Sequence, residues 1–379
     1  MNKNQIHSLY IHFPYCRHLC NYCDFYKHKL SSENDDITTK NFNSKLINQF
    51  SQLEHFHSEN NFQLGVLETL YIGGGTPSLW GEKGIQLFSN KVDRSLKLKA
   101  NCEFTLEVDP GTATFNQLDQ WQKLGVNRFS CGVQSVDDNY LALFDRFHRL
   151  EDVENLLNYF FERDINFSVD LLLGAPQGRE KRNIQWEINK ILQFKPKHLS
   201  VYILSTRKNY PLFDSLPEDD LIEKEYFFVA DVLQGHGFNH YEVSNFAIPG
   251  FESMHNQAYW KMDSVAAAGP IGTGFLYQKG HETALRYQSN SSLDKITTEI
   301  LNKKQLCLER LYLSLRSNIG VQLGDNLAQY NLSKESEKLF NQWVNDGFGV
   351  IGNDKFIFNY RGWIMLDTFI SKLFPFHLD

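Results

Sequence analysis

Cys16-Arg-His-Leu-Cys20-Asn-Tyr-Cys23, followed by Asp24-Phe25, is the stretch on which the reading of this chain turns. Three thiols spaced C-x3-C-x2-C fall one ligand short of a closed tetrahedral zinc site, and no fourth cysteine follows nearby. Three thiolates can instead hold three corners of a cubane [4Fe–4S] cluster and leave the fourth iron open to a ligand. Ser8-Leu-Tyr-Ile-His12 just before them is a β-type run, so a strand delivers the cysteine loop from its end.

Outward from that loop, strands alternate with helices. Val66–Ile72 reads as a strand running into Gly73-Gly74-Gly75-Thr76-Pro77. Further strands are predicted at Glu103–Val108, Arg128–Val133, Asn166–Leu173, His198–Ile203 and Asn239–Val243, with helical periodicity between them. This alternation predicts an α/β fold with a parallel sheet and right-handed crossovers. The units are too few for eight, so the expected architecture is a partial (β/α)6 TIM-like barrel. In such barrels chemistry sits at the C-terminal strand ends. The cysteine loop, the glycine run, Glu107, Gln134 and Asp170 all fall there.

Three regions are expected: a barrel core at 1–248, long loops over the barrel mouth at 249–295, and a helical, winged-helix-like domain at 296–379. A structural lid is the favoured role for the last, because a net charge of −7 offers no basic field for nucleic acid. The first residues lack the apolar h-region of a signal peptide, and no apolar run is long enough to span a membrane. A cytoplasmic protein with at most peripheral membrane contact is expected. Cys102, Cys131 and Cys307 are isolated and read as buried small hydrophobes. His55 and His57 read as solvated, and His12 as a hydrogen-bonding group at the barrel mouth.

Tyr10-Ile-His-Phe-Pro-Tyr-Cys16 with Cys20, Tyr22 and Cys23 resembles the signature of the radical S-adenosylmethionine (SAM) superfamily. The glycine run adds to this, since a backbone without side chains can approach a ligand closely. The resemblance narrows to the oxygen-independent coproporphyrinogen dehydrogenases and their HemW-type relatives, the heme chaperones. It runs through Thr105–Thr112, Gly125–Ser130, Gly132–Ser135, Arg146–His148, Val169–Gly174 and Tyr241–Ala247. It implies a [4Fe–4S] cluster on Cys16, Cys20 and Cys23, and SAM held by Tyr10, Tyr22, Gly74, Gly75, Thr76, Glu107, Gln134, Arg146 and Asp170. A reduced cluster would supply the electron that cleaves the sulfonium.

Two features set the chaperones apart from the dehydrogenases. The latter carry one more cysteine two positions after the third, where this chain has Phe25. His255-Asn256-Gln-Ala-Tyr259-Trp260 resembles the chaperones' H-N-x-x-Y-W heme motif, although the same residues could merely close a loop over the barrel mouth. The resemblance therefore implies heme as cargo, handed to a recipient that is most plausibly a respiratory heme protein at the membrane. Its alternative is radical decarboxylation of coproporphyrinogen III by a dehydrogenase-type oxidoreductase. One departure stands out: Ala267-Ala-Gly269-Pro270-Ile-Gly272 lacks a polar side chain usual in the relatives' glycine-rich stretch.

Overall fold

A computed structural model describes residues 3–30, 35–92, 96–178 and 181–376. Six strands, β1 (Asn4–Phe13), β2 (Phe62–Gly74), β3 (Leu98–Val108), β4 (Arg128–Gln134), β5 (Phe167–Leu173) and β6 (His198–Ile203), pair in parallel in chain order. Helices α1 (Asp35–Glu59), α2 (Gly81–Val92), α3 (Phe115–Lys123), α4 (Leu150–Glu162) and α5 (Ile184–Gln193) make the crossovers, and α6 (Asp219–Gly235) follows β6. This is the partial barrel the alternation predicts.

Period-two patterning explains the layering. Leu70 and Ile72, Phe104 and Leu106, Phe129 and Cys131, and Val169 and Leu171 point outward into the core beneath the helices. Residues of the alternate face, Tyr71, Glu107, Arg128, Ser130 and Asp170, line a cavity inside the barrel. Each helix lays its apolar face on that outer layer. In α3, Thr114 and Gln117 form a reciprocal cap, and Leu118 and Trp121 are buried one turn further on. Gly125, at φ 108°, ends the helix in a conformation that favours glycine.

Beyond β6 the chain departs from the expected long loops. Strands β7 (Asn239–Glu242) and β8 (Asn245–Ala247) add an antiparallel edge beside β6. Helix α7 (Met254–Trp260) follows, and β9 (Val265–Ala268) then pairs in parallel with β1 on its free side. Strands β10 (Thr273–Leu276), β11 (Ala284–Ser289) and β12 (Ile296–Leu301) continue antiparallel, giving one sheet of 12 strands. Thus 249–295 is ordered structure rather than loop, and Ile296–Leu301, expected to begin the helical tail, is the last strand of the large sheet.

The local sequence hides this. Val265-Ala-Ala-Ala268 has one β-branched residue and weak strand propensity, so tertiary contact decides its conformation. A Cβ at Gly269 would lie 2.2 Å from the His12 carbonyl oxygen, which shows how closely the segment approaches β1. His57 is likewise not solvated: it is 1% exposed, and its Nε2 lies 3.0 Å from the Tyr287 hydroxyl of β11. His55 does face solvent, beside Glu59.

Nor does α7 lie over the mouth. Its first amides, from Met254 and His255, donate to the Glu103 carboxylate at 3.0 and 2.9 Å. Glu103 pairs with Thr69 and Ser8 pairs with Thr69, several residues before the C-terminal ends of their strands. Helix α7 therefore closes the N-terminal end of the barrel, opposite the cysteine loop. The remaining chain, α8 (Lys303–Leu315), β13 (Val321–Gln322), α9 (Glu337–Asn345), the hairpin β14 (Gly349–Gly352) and β15 (Lys355–Phe358), and α10 (Leu366–Leu373), packs around its own core. Phe340, Trp343, Phe356 and Phe369 are central to that core.

Candidate functional site

A cavity of about 480 Å³ opens at the C-terminal ends of the parallel strands. Cys16, Cys20, Tyr22, Cys23, Gly74, Gly75, Thr76, Glu107, Gln134, Arg146 and Asp170 line it together. Backbone bonds fix the cysteine loop at its rim. Tyr15–Cys16 pairs with His28–Lys29, Gly75 N donates to Phe13 O at 2.7 Å, and Thr76 N donates to Tyr15 O at 2.8 Å. This docking explains two of the glycines. A Cβ at Gly75 would sit 2.6 Å from the Tyr15 carbonyl oxygen, and Gly74 adopts φ +119° against the His12 ring.

Arg146 ties that loop to the barrel. Its Nη2 pairs with Asp109 and donates to Gly132 O at 3.1 Å, and its Nη1 faces Cys20 Sγ at 3.6 Å and the Tyr22 hydroxyl at 3.5 Å. His148 Nδ1 lies 3.1 Å from the same Asp109 oxygen and its Nε2 lies 3.2 Å from Val133 O. Burial alone would raise the Asp109 carboxyl, but Arg146 and His148 beside it hold it below its usual range.

Other acids in the cavity move the opposite way. Burial pushes Glu107 up to about 7, against hydrogen bonds from the Tyr71 hydroxyl and Gly74 N, both at 2.9 Å. Burial also pushes Asp170 up to about 6, with Ser130 Oγ 3.4 Å away. Gln134 ends β4 at φ 67°, a conformation uncommon for a residue with a side chain and one that clusters at functional sites.

The three thiols fit a cubane cluster. Burial pushes the Cys16 thiol up to about 11 and raises Cys20 as well, the latter opposed by Arg146. Among the described residues, no three His, Cys, Asp or Glu side chains converge on a point where a single metal ion could sit. A cubane does not require that, since each thiolate binds a different iron. Cys102, Cys131 and Cys307 do not line the cavity, so the thiol set there is Cys16, Cys20 and Cys23, one donor short of the four irons of a cubane.

The remaining candidates are dispersed. Tyr10 does not line the cavity. It lies in a ring cluster with Tyr71 and His255 at centroid distances of 6.0 and 6.3 Å, and its hydroxyl is 3.1 Å from His12 Nδ1. His255 is 2% exposed, with Nδ1 at 2.8 Å from Thr69 Oγ1 and Nε2 without a partner. Burial first, and the Arg128 charge second, push it down to about 3, so its ring is neutral. Tyr259 packs edge-on against His255, Asn256 lines the cavity floor, and Trp260 turns away beneath the Arg316 guanidinium.

Assigning roles one motif at a time passes over Tyr71, Asp109, Arg128, Ser130, His148 and Ser200, all of which line this cavity. The signal that finds most of them is polar alternation within strands: Arg128, Ser130, Gly132 and Gln134 share one face of β4, and His198 and Ser200 share one face of β6. At the mouth, Phe25 and Phe147 are 70% and 65% exposed.

Known proteins share the sequence and the fold of this chain. Residues 10–183 match the radical SAM superfamily model. The chain is 30% identical over 369 residues to the heme chaperone HemW of Lactococcus lactis, covering 93% of this chain and 91% of that protein. It is 32% identical to the HemW of Synechocystis, covering 83% and 79% respectively. In fold it is similar to coproporphyrinogen III oxidase (HemN) of Escherichia coli, a radical SAM enzyme, with a TM-score of 0.74 and 18% identity over 98% of this chain and 90% of that one.

Proposed function

From membership of the HemW-type family of the radical SAM superfamily, to which this chain belongs, we propose that it is a heme chaperone built on a [4Fe–4S]- and SAM-binding barrel. Cys16, Cys20 and Cys23 hold the cluster in this reading. Tyr22, Gly74, Gly75, Thr76, Glu107, Gln134, Arg146 and Asp170 surround SAM, with Tyr10 supporting the site through Tyr71. When bound and reduced, the cluster supplies one electron to a sulfonium at its open iron. The protein's share is to orient that sulfonium and exclude water.

Phe25 carries the choice of chaperone over enzyme. It stands where the porphyrinogen enzymes carry a cysteine, and it presents an exposed ring at the cavity mouth rather than a further thiol. Phe147, a second exposed ring lining the same cavity, adds to the apolar surface available to a flat macrocycle. The cargo is handed on to a respiratory heme protein, and the site of action is the cytoplasm. Among the described residues no helix is long and apolar enough to cross a membrane. The His255 motif enters with a condition: α7 closes the barrel floor, so His255 Nε2 reaches a heme iron only if α7 swings out.

Anaerobic reconstitution followed by two parallel assays separates the readings. Heme titration is expected to give a Soret band that a His255→Ala, Trp260→Ala variant loses. Coproporphyrinogen supplied with SAM and a reductant is expected to remain undecarboxylated. Turnover above background establishes the enzyme instead, and an unchanged Soret band in the variant removes the motif from the heme site.

Glu107 adds a pH signature. A bound cation such as the SAM ammonium favours the carboxylate, so binding to the protonated form below about 7 releases a proton. SAM affinity is expected to weaken as pH falls from 7 to 6, by up to about tenfold per unit. Glu107→Gln flattens that profile in equilibrium dialysis. In the ligand-free protein the sign is opposite: the folded chain keeps a proton that the unfolded carboxyl loses above 4.5, so this group's contribution to stability falls as pH rises to about 7.

A further inference from the structure

Three arginines, Arg17, Arg128 and Arg146, line the cavity, and two of them, Arg146 and Arg128, are enclosed at different depths. Arg146, at the cysteine end, is committed to Asp109 and Gly132. Arg128 begins β4, six residues before Gln134, which, with the bulge between Cys131 and Gln134, puts its Cα about 16 Å deeper along the strand. It lines the cavity and is 3% exposed; its Nε has no hydrogen-bond partner, as is true of Arg146 Nε, but Arg146 is paired with Asp109 whereas Arg128 is in no ion pair among the described residues.

The carboxylates nearest in charge, Glu103 and Asp170, are engaged elsewhere. Glu103 accepts the two amides at the start of α7, and Asp170 faces Ser130 Oγ. Neither forms an ion pair with Arg128 among the described residues. Two more polar atoms at this end lack partners: Oγ1 of Thr105, the register neighbour of Arg128 on β3, and Nε2 of His255. A guanidinium stays charged at any accessible pH and presents a planar fork of donors. Glu103 and Asp170 favour that charge through space without engaging the fork, and the group that best matches the fork is a carboxylate held through two parallel hydrogen bonds.

We propose that Arg128 is the carboxylate receptor at the floor of the barrel cavity, clasping an acidic arm of the molecule that the cavity takes up. The identity of that molecule rests on the function proposed above; the receptor itself does not. Two carboxylates fit, a propionate arm of a tetrapyrrole and the α-carboxylate of SAM.

Binding by the anaerobically reconstituted full-length chain tests this. The wild type, Arg128→Gln and Arg128→Lys are each titrated with hemin, hemin dimethyl ester, SAM and decarboxylated SAM. Melting temperature is recorded with and without glutarate, a plain dicarboxylate. Arg128→Gln is expected to weaken binding of one carboxylate ligand by roughly ten- to a hundredfold while leaving its ester or decarboxylated counterpart unchanged. Arg128→Lys, which keeps the charge without the fork, falls between and shows that the pocket still folds. A loss confined to hemin identifies a propionate. A loss confined to SAM, with hemin failing to bind even the wild type, keeps the receptor and removes the heme reading. Equal affinities in wild type and Arg128→Gln, equal losses for a ligand and its blocked form, or a wild type that responds to no carboxylate at all overturn the receptor.

Discussion

Alanine in place of any one of Cys16, Cys20 or Cys23 abolishes the brown absorbance of the reconstituted [4Fe–4S] cluster, while alanine at Cys102, Cys131 or Cys307 leaves it intact. The first three thiols line one cavity. In the proposed cluster each would hold its own corner of a cubane, so losing one would leave two irons without a protein ligand rather than one. The other three do not line that cavity. Cys131 lies on the outward face of β4, in the layer beneath the helices, and Cys102 belongs to the same core. Burial pushes Cys102 up to about 12 and raises Cys131 well above its usual range, and neither lines the cavity. Iron and sulfide content, read beside the visible spectrum, checks the result. A cluster that survives Cys20→Ala, or disappears with Cys307→Ala, means the ligand set is wrong.

What the sequence disclosed, and what it withheld, follows from how local each signal is. The six parallel strands and the convergence of the cysteine loop with the glycine turn are written in short-range patterns: β-type runs, a helical period, and glycines where backbones meet. The floor of the barrel is not. Val265–Ala268 joins the sheet because small side chains let it lie against β1, and nothing in four such residues marks a strand. The place of α7 depends on Glu103, some 150 residues earlier in the chain, receiving its first two amides. His57 looked solvated because its partner, Tyr287, lies 230 residues away. The H-N-x-x-Y-W stretch was legible as a motif, but its end of the barrel was not, and that end decides whether His255 is open to a ligand.

Arg146→Ala is the substitution expected to do the most damage without touching a cluster ligand. Arg146 and Asp109 have side chains only 11% and 24% exposed, and removing the guanidinium leaves the carboxylate enclosed with His148 alone. Breaking a buried pair in this way costs about 3–5 kcal/mol. The same guanidinium reaches Cys20 Sγ and the Tyr22 hydroxyl, so the cysteine loop loses its tie to β4. Iron content and SAM binding are expected to fall together with the urea midpoint. Arg146→Lys does not restore them, because a single ammonium cannot face Asp109, Gly132 O and Cys20 at once. The decisive comparison is with the double variant Asp109→Asn, Arg146→Ala. It leaves no uncompensated carboxylate, so part of the stability returns, while the loop, held by its backbone bonds but still without its tie to β4, continues to assemble cluster poorly. If the double variant is no more stable than the single one, the cost lies in packing rather than charge. If Arg146→Ala keeps both the wild-type midpoint and its iron, this arginine is not what holds the cysteine loop to the barrel.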